Sequence, residues 1–114
     1  MLNVNDVRVG SICRNGHDIH KVTRRDIANS AYVNFEPVLL TPYVLQNSGF
    51  AEVKYGYAFG KFKLIAVQTL NGLVYYHSNR EKELRFVHEL QNLFHSLEAK
   101  ELTVVIKEHE FEIM

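Results

Sequence analysis

The stretch that decides the fold is KFKLIAVQTLNGLVYYHS, Lys61 to Ser78. Lys61 to Gln68 and Leu73 to Ser78 carry Phe, Leu, Ile, Val and Tyr at the density of β-strands. Asn71-Gly72 lies between them. Both residues tolerate positive φ, so the two runs read as an antiparallel hairpin closed by a tight turn. Phe62, Leu64 and Ala66 share one face and Lys61 and Lys63 the other, the alternation of a sheet with one wet side. Upstream, Glu52 to Tyr57 reads as a further strand with Tyr55 and Tyr57 on one face. GYAFG, Gly56 to Gly60, reads as a turn or β-bulge with buried aromatics, the alternative being a mobile lip.

Downstream, Asn79 to Lys82 is a charged turn and a helix follows, roughly Leu84 to Leu97. At about 100° per residue, Phe86, Val87, Leu90, Leu93, Phe94 and Leu97 fall within about a third of its circumference. His88, Gln91, Asn92 and His95 lie opposite, with no Lys or Arg among them. Wet helix faces are usually rich in Lys, Glu and Arg, and Asn and His are poor helix formers. Neutral amide and imidazole groups meet another surface without the desolvation cost of ions. The stripe therefore reads either as a solvated face or a lid of local backbone bonds, or as an interface or ligand contact. Glu101 to Lys107 is a β-branched run and is expected to be a strand, which residues 108–114 continue or follow with one more.

Upstream of the meander, Ser11 to Arg14 and Asp18 to Val22 read as strands around the turn signal Asn15-Gly16. Thr23 to Ser30 reads as a polar connection and Ala31 to Glu36 as a strand. LLTPYVLQNSGF, Leu39 to Phe50, encodes a short helix over about 42–48. Thr41 suits the N-cap, Pro42 the first helical position and Gly49 the left-handed C′ position, with Phe50 packing back on the last turn.

Hairpins and a meander, segregated from two helices, give an α+β fold. The expected form is a twisted antiparallel sheet packed by the main helix at about 84–97 and the short helix at about 42–48. The 114 residues suffice for one domain spanning 1–114. Lys plus Arg and Asp plus Glu balance at 13 each, which weighs against a non-specific nucleic-acid binder. Near the N-terminus, Lys21, Arg24 and Arg25 form the only candidate basic patch, and a solvated loop is the favoured reading of them. A single cysteine, Cys13, excludes an intrachain disulfide, so a cytoplasmic protein is expected. No window approaches ~18 apolar residues and no secretory signal precedes the first strand, so no membrane association is expected.

Catalytic chemistry finds little support. His17 and His20 stand HxxH around a turn, and His88 and His95 lie about 10 Å apart along a helix, too far to share an ion. No CxxC, HExxH, GxSxG, Walker or dinucleotide pattern is present. His88, Glu89 and Ser96 suggest a triad, but Glu89 is displaced about 100° from His88 around the helix. No enzyme activity, metal or cofactor is expected. Lys54, Tyr55, Tyr57, Phe59, Lys61, Phe62 and Lys63 have the texture of a base-stacking surface, although half should face the core.

Three segments, DVRVGSI, VLLTPYVLQNSGF and FVHELQNLFHSLEAKELTV, resemble a group of small proteins encoded in phages and prophages of gut anaerobes. The VHELQNL element is the most specific of them. Such relatives usually carry Gly in the turn before the last strand, where this chain has Ala99. The resemblance implies a context and no established activity: a phage-type accessory binding protein in the host cytoplasm, acting on host defence. The resulting expectation is a non-enzymatic homo-oligomer that sequesters a nucleotide-derived signal. His88, Gln91, Asn92 and His95 would form the contact, Tyr55, Tyr57 or Tyr76 would stack, and Arg24, Arg25 or Arg80 would meet anionic groups. A protein-binding inhibitor of a host factor and a small single-stranded nucleic-acid-binding module are the alternatives.

Overall fold

The hairpin read from Lys61 onward forms the centre of a five-stranded antiparallel sheet. In this computed structural model, residues 7–77 and 82–106 are described, with the backbone alone at Tyr32 and Val33. The elements are β1 (Ile12–Asn15), β2 (Asp18–Lys21), α1 (Arg24–Ala28), a 3-10 turn (Ala31–Asn34), β3 (Glu36–Pro37) and α2 (Pro42–Asn47). They continue with β4 (Ala51–Val53), β5 (Gly56–Phe59), β6 (Phe62–Thr69), β7 (Gly72–His77), β8 (Glu83–Leu84) and α3 (Val87–Glu98). An α+β architecture is thus present, with two antiparallel sheets where one was expected.

The chain forms two compact units. One comprises Met1–Leu39 and Phe86–Glu101, the other Leu40–Arg85 and Leu102–Met114. The first holds the sheet β2-β1-β3. The β1-β2 turn is centred on Gly16 and His17, since Asn15 pairs with Asp18 and Gly16 takes φ +64°. Cys13, Val22 and Phe35 are buried together, with Val7 and Ala31 packed on them. The polar connection at 23–30 is in fact a helix. Thr23 caps α1 by accepting from the Asp26 N–H, and the Asp26 carboxylate accepts from the Thr23 N–H at 2.8 Å, a reciprocal capping box. The expected strand at Ala31–Glu36 is replaced by the 3-10 turn and the two-residue β3.

α3 belongs to this same unit and starts at Val87, because Glu83–Leu84 are taken up by β8 of the other unit. Phe86 has no side-chain oxygen to cap it; Glu89 folds back instead and accepts from the Phe86 N–H at 3.0 Å. The helix ends at Ala99 with φ +57°, the left-handed position that glycine most readily fills.

The second unit holds the meander β4-β5-β6-β7-β8 with α2. α2 follows its local signals: Thr41 Oγ1 accepts from the Val44 N–H, Gly49 takes φ +99°, and the Phe50 N–H reaches back to the Leu45 carbonyl at 3.0 Å. The run Glu52–Tyr57 is two strands rather than one, because Val53 pairs with Gly56 and Lys54-Tyr55 makes a two-residue turn. GYAFG is strand β5 followed by a turn. A Cβ at Gly56 would lie 1.8 Å from the Leu64 carbonyl oxygen, so only glycine allows β5 to approach β6 there. The 6–7 hairpin turns on Leu70-Asn71, one residue earlier than expected, with Gly72 at φ +115°. Residues 101–106 do not pair into either sheet, contrary to the strand expected there. Leu102 is buried and the Val105 N–H donates to Ser48 Oγ at 3.0 Å. The expected segment 108–114 lies outside the described residues.

Candidate interaction surface

The polar stripe on α3 is largely an internal fixture. Val87, His88, Leu90, Gln91 and Phe94 are the buried residues of the helix. Their centre lies about 75° around the helix from the centre of the apolar stripe, toward the polar side. Gln91 is 2% exposed; its Oε1 accepts from the Ile12 N–H at 2.7 Å and its Nε2 donates to the Gly10 carbonyl at 2.9 Å. Asn92 is half-buried and its Oδ1 accepts from Arg8 Nε at 2.7 Å. Arg8 also donates to the Gln91 carbonyl and, through both terminal nitrogens, to the Glu101 carboxylate. That guanidinium holds the Glu101 carboxyl below the ordinary carboxylate range. His88 is buried and only His95 is exposed. The placement of these four residues away from the core is therefore corrected for His88, Gln91 and Asn92. The missed partner is Arg8, whose pairing with residues more than eighty positions away leaves no local signal.

The other named residues are dispersed. Arg24 and Arg25 are exposed on α1 in the first unit. Tyr57 is 7% exposed on the inner side of the meander and is corrected from stacking residue to core residue; its hydroxyl pKa is pushed up by burial. Arg80 lies outside the described residues.

A Cys-His-Asp grouping stands in the first unit. Asp26 accepts from His20 Nε2 at 2.7 Å, and this bond foremost lowers the Asp26 pKa. With the carboxylate ionised, Nε2 carries the proton. Cys13 is fully buried, donates to the His20 carbonyl at 3.5 Å, and has its thiol pushed up to about 11, mainly by desolvation and then by Asp26. A neutral thiol without access to solvent is a poor nucleophile. Among the described residues no group of three or more His, Cys, Asp or Glu could hold a metal ion.

The meander presents a more distinctive surface. Paired residues in a ladder share a face. Tyr57, Leu64 and His77 form one inner row, and Tyr75 and Leu84 lie on the same side; all are buried. The outer row runs Val53, Gly56, Ile65, Tyr76, Glu83, with Val67 and Val74 in the next row. Val53 is 42%, Ile65 45% and Val67 39% exposed, whereas Val74 on the same side is buried at 1%. The outer side is apolar at its centre, where a charged wet face was expected; Lys63 lies toward one end of it. Tyr76 is half-buried at one side and its hydroxyl donates to Glu83 at 3.4 Å; Arg85 Nε holds the same carboxylate at 2.7 Å and lowers its pKa. At the β4-β5 turn Tyr55 is 75% exposed with φ +70°, and Lys54 Nζ lies 5.2 Å from its ring centroid. Of the aromatics in the Lys54–Lys63 run, Tyr57 and Phe62 are buried and Phe59 is half-buried, which leaves Tyr55.

The signal for this surface was in the runs LIAV (64–67) and LVYY (73–76), apolar at both parities. Such runs mark strands covered on both faces.

No family model, curated protein or solved structure matches the chain. No helix among the described residues is long and apolar enough to cross a membrane.

Proposed function

We propose that this protein is a non-enzymatic binding module whose contact surface is the outer face of the five-stranded sheet. The observation that carries this reading is the exposure of Ile65 and Val67 at the middle of the longest strand, with Tyr76 beside Ile65 and Val53 beyond Gly56 in the same row. Contiguous exposed apolar surface rimmed by polar groups characterises interaction sites. An exposed sheet face suits a protein partner better than a small ligand, which needs a concave site to bury most of its own surface. The resemblance carried by VHELQNL supplies the setting, a phage-type accessory protein acting on host defence. Capture of partners from a host extract by the intact chain and by Ile65→Lys tests the reading. A protein retained by the wild type and lost by the variant supports it; identical retention by both sinks it.

A nucleotide-type ligand is the second reading, favoured by Tyr55. A non-glycine residue at positive φ is strained, and such strain gathers at functional positions. An exposed ring beside a lysine ammonium suits stacking on a base with its phosphate nearby. Thermal-shift measurements with linear and cyclic nucleotides decide it, since a ligand that binds only the folded chain raises Tm. A rise that disappears in Tyr55→Ala supports the reading, and no rise with any nucleotide removes it.

A further inference from the structure

We propose that residues 24–35 form a lid over the buried Cys13 thiol, latched by the Asp26–His20 hydrogen bond and free to open while the rest of the first unit stays folded.

The lid is bounded by where the chain is tied down. Before it, the Val22 N–H donates to the Ser11 carbonyl at 2.9 Å; after it, Glu36 pairs with Arg14 of β1. Between these ties, among the described residues, the one hydrogen bond to the sheet is that of His20 Nε2 to the Asp26 carboxylate at 2.7 Å. The backbone N–H groups of Ile27, Asn29 and Ser30 all bond within residues 23–27. α1 buries none of its residues. Of the lid's described side chains only Phe35 is buried, with Asp26 and Ala31 half-buried. Ser30 joins α1 to the 3-10 turn at φ +56°, a left-handed backbone that strains a residue with a Cβ.

Beneath the lid lies the thiol. Cys13 and His20 are direct cross-strand partners, so their side chains share one face of the sheet. Asp26 sits on His20 Nε2, the Phe35 ring centroid is 4.9 Å from that of His20, and Ala31 packs on the Cys13, Val22 and Phe35 cluster. The Asp26 charge is near enough to the thiol to disfavour its ionisation. A segment with few buried apolar contacts opens more readily than the whole fold. Closed, the thiol is neutral and fully buried. Open, it returns toward the ordinary cysteine pKa of about 8.5 and gains a reactive thiolate fraction. The lid thereby sets when Cys13 meets a disulfide or an electrophile.

Labelling of the full-length chain by 4,4′-dithiodipyridine across a urea series tests this. The Cys13 thiolate attacks the reagent disulfide, forms a mixed disulfide and releases one thiopyridone, read by its absorbance. Opening of the lid exposes little surface, so the wild-type labelling rate should be nearly independent of urea at low concentration. His20→Phe keeps a ring on Phe35 and leaves the Thr23–Asp26 capping box in place; it should label about tenfold faster. Gln91→Ala weakens the tie between α3 and the segment before β1, which the open lid retains, so it should label at the wild-type rate. Wild-type labelling with the full urea dependence of global unfolding, or acceleration by Gln91→Ala, overturns the lid even if His20→Phe does not fold. A folded His20→Phe that labels at the wild-type rate overturns the latch.

Discussion

Gln91 ties together backbone groups 79 and 81 residues away, and it does so inside the protein. An amide is the side chain for this task because it accepts from one backbone group and donates to another without carrying charge. Truncating it strands the Ile12 N–H and the Gly10 carbonyl, each at ~1–3 kcal/mol when buried. Gln91→Ala should therefore lower the unfolding free energy by about 2–4 kcal/mol in urea titrations, while His95→Ala, at an exposed site, stays within about 0.5 kcal/mol. Ala99 is a residue under the opposite condition. Its left-handed φ of +57° disfavours a Cβ, so Ala99→Gly should raise stability by about 0.5–1 kcal/mol, seen as an increased Tm. Neither role is legible from residue type. Gln91 looks like any helix-surface glutamine until its distant partners are placed, and alanine at a helix end carries no sign of a left-handed backbone.

Local signals specified those elements whose ends are written in side chains. α2 carries Thr41, Pro42 and Gly49 and formed where they put it; both glycine hairpins formed within a residue of theirs. The elements set by packing were misread. α3 was phased on its leucines, yet its buried arc turns toward Gln91 because Arg8 and the Gly10–Ile12 backbone supply polar partners on that side. α1 was missed because it buries none of its residues and its capping box sits in what looks like polar loop. The connection between α3 and the segment around Arg8 has a pH signature. Glu101 is held below its ordinary pKa of 4.5, so its pairing stabilises the fold at neutral pH and is lost as pH falls through that range to the lowered value. The pair is partly solvent-exposed, which limits the effect to at most about 1 kcal/mol. Glu101→Gln should be slightly less stable than wild type at pH 7, with the difference closing below pH 4.5, as followed by thermal melts across the range.

For the whole molecule, the α+β class followed from segregated hairpins and helices. The assignment of the long helix to the three-stranded sheet did not, because that choice lies in contacts between opposite ends of the sequence. The same separation hid the candidate surface. Apolar residues on β6 and β7 looked like ordinary strand density until the ladder showed which of them faced outward. The first unit is also discontinuous, joining Met1–Leu39 to Phe86–Glu101. During synthesis at roughly 5–20 residues per second, the β1-β2 hairpin leaves the ribosome several seconds before α3 can supply Gln91. Through that interval Gly10 and Ile12 lack the amide that holds them, while the meander, made of neighbouring strands, has all its partners in hand. A nascent-chain force measurement should register folding of the first unit only after residue 101 has emerged. The hairpin made first thus waits longest for its partner, and throughout that wait it is the segment most open to a chaperone or a protease.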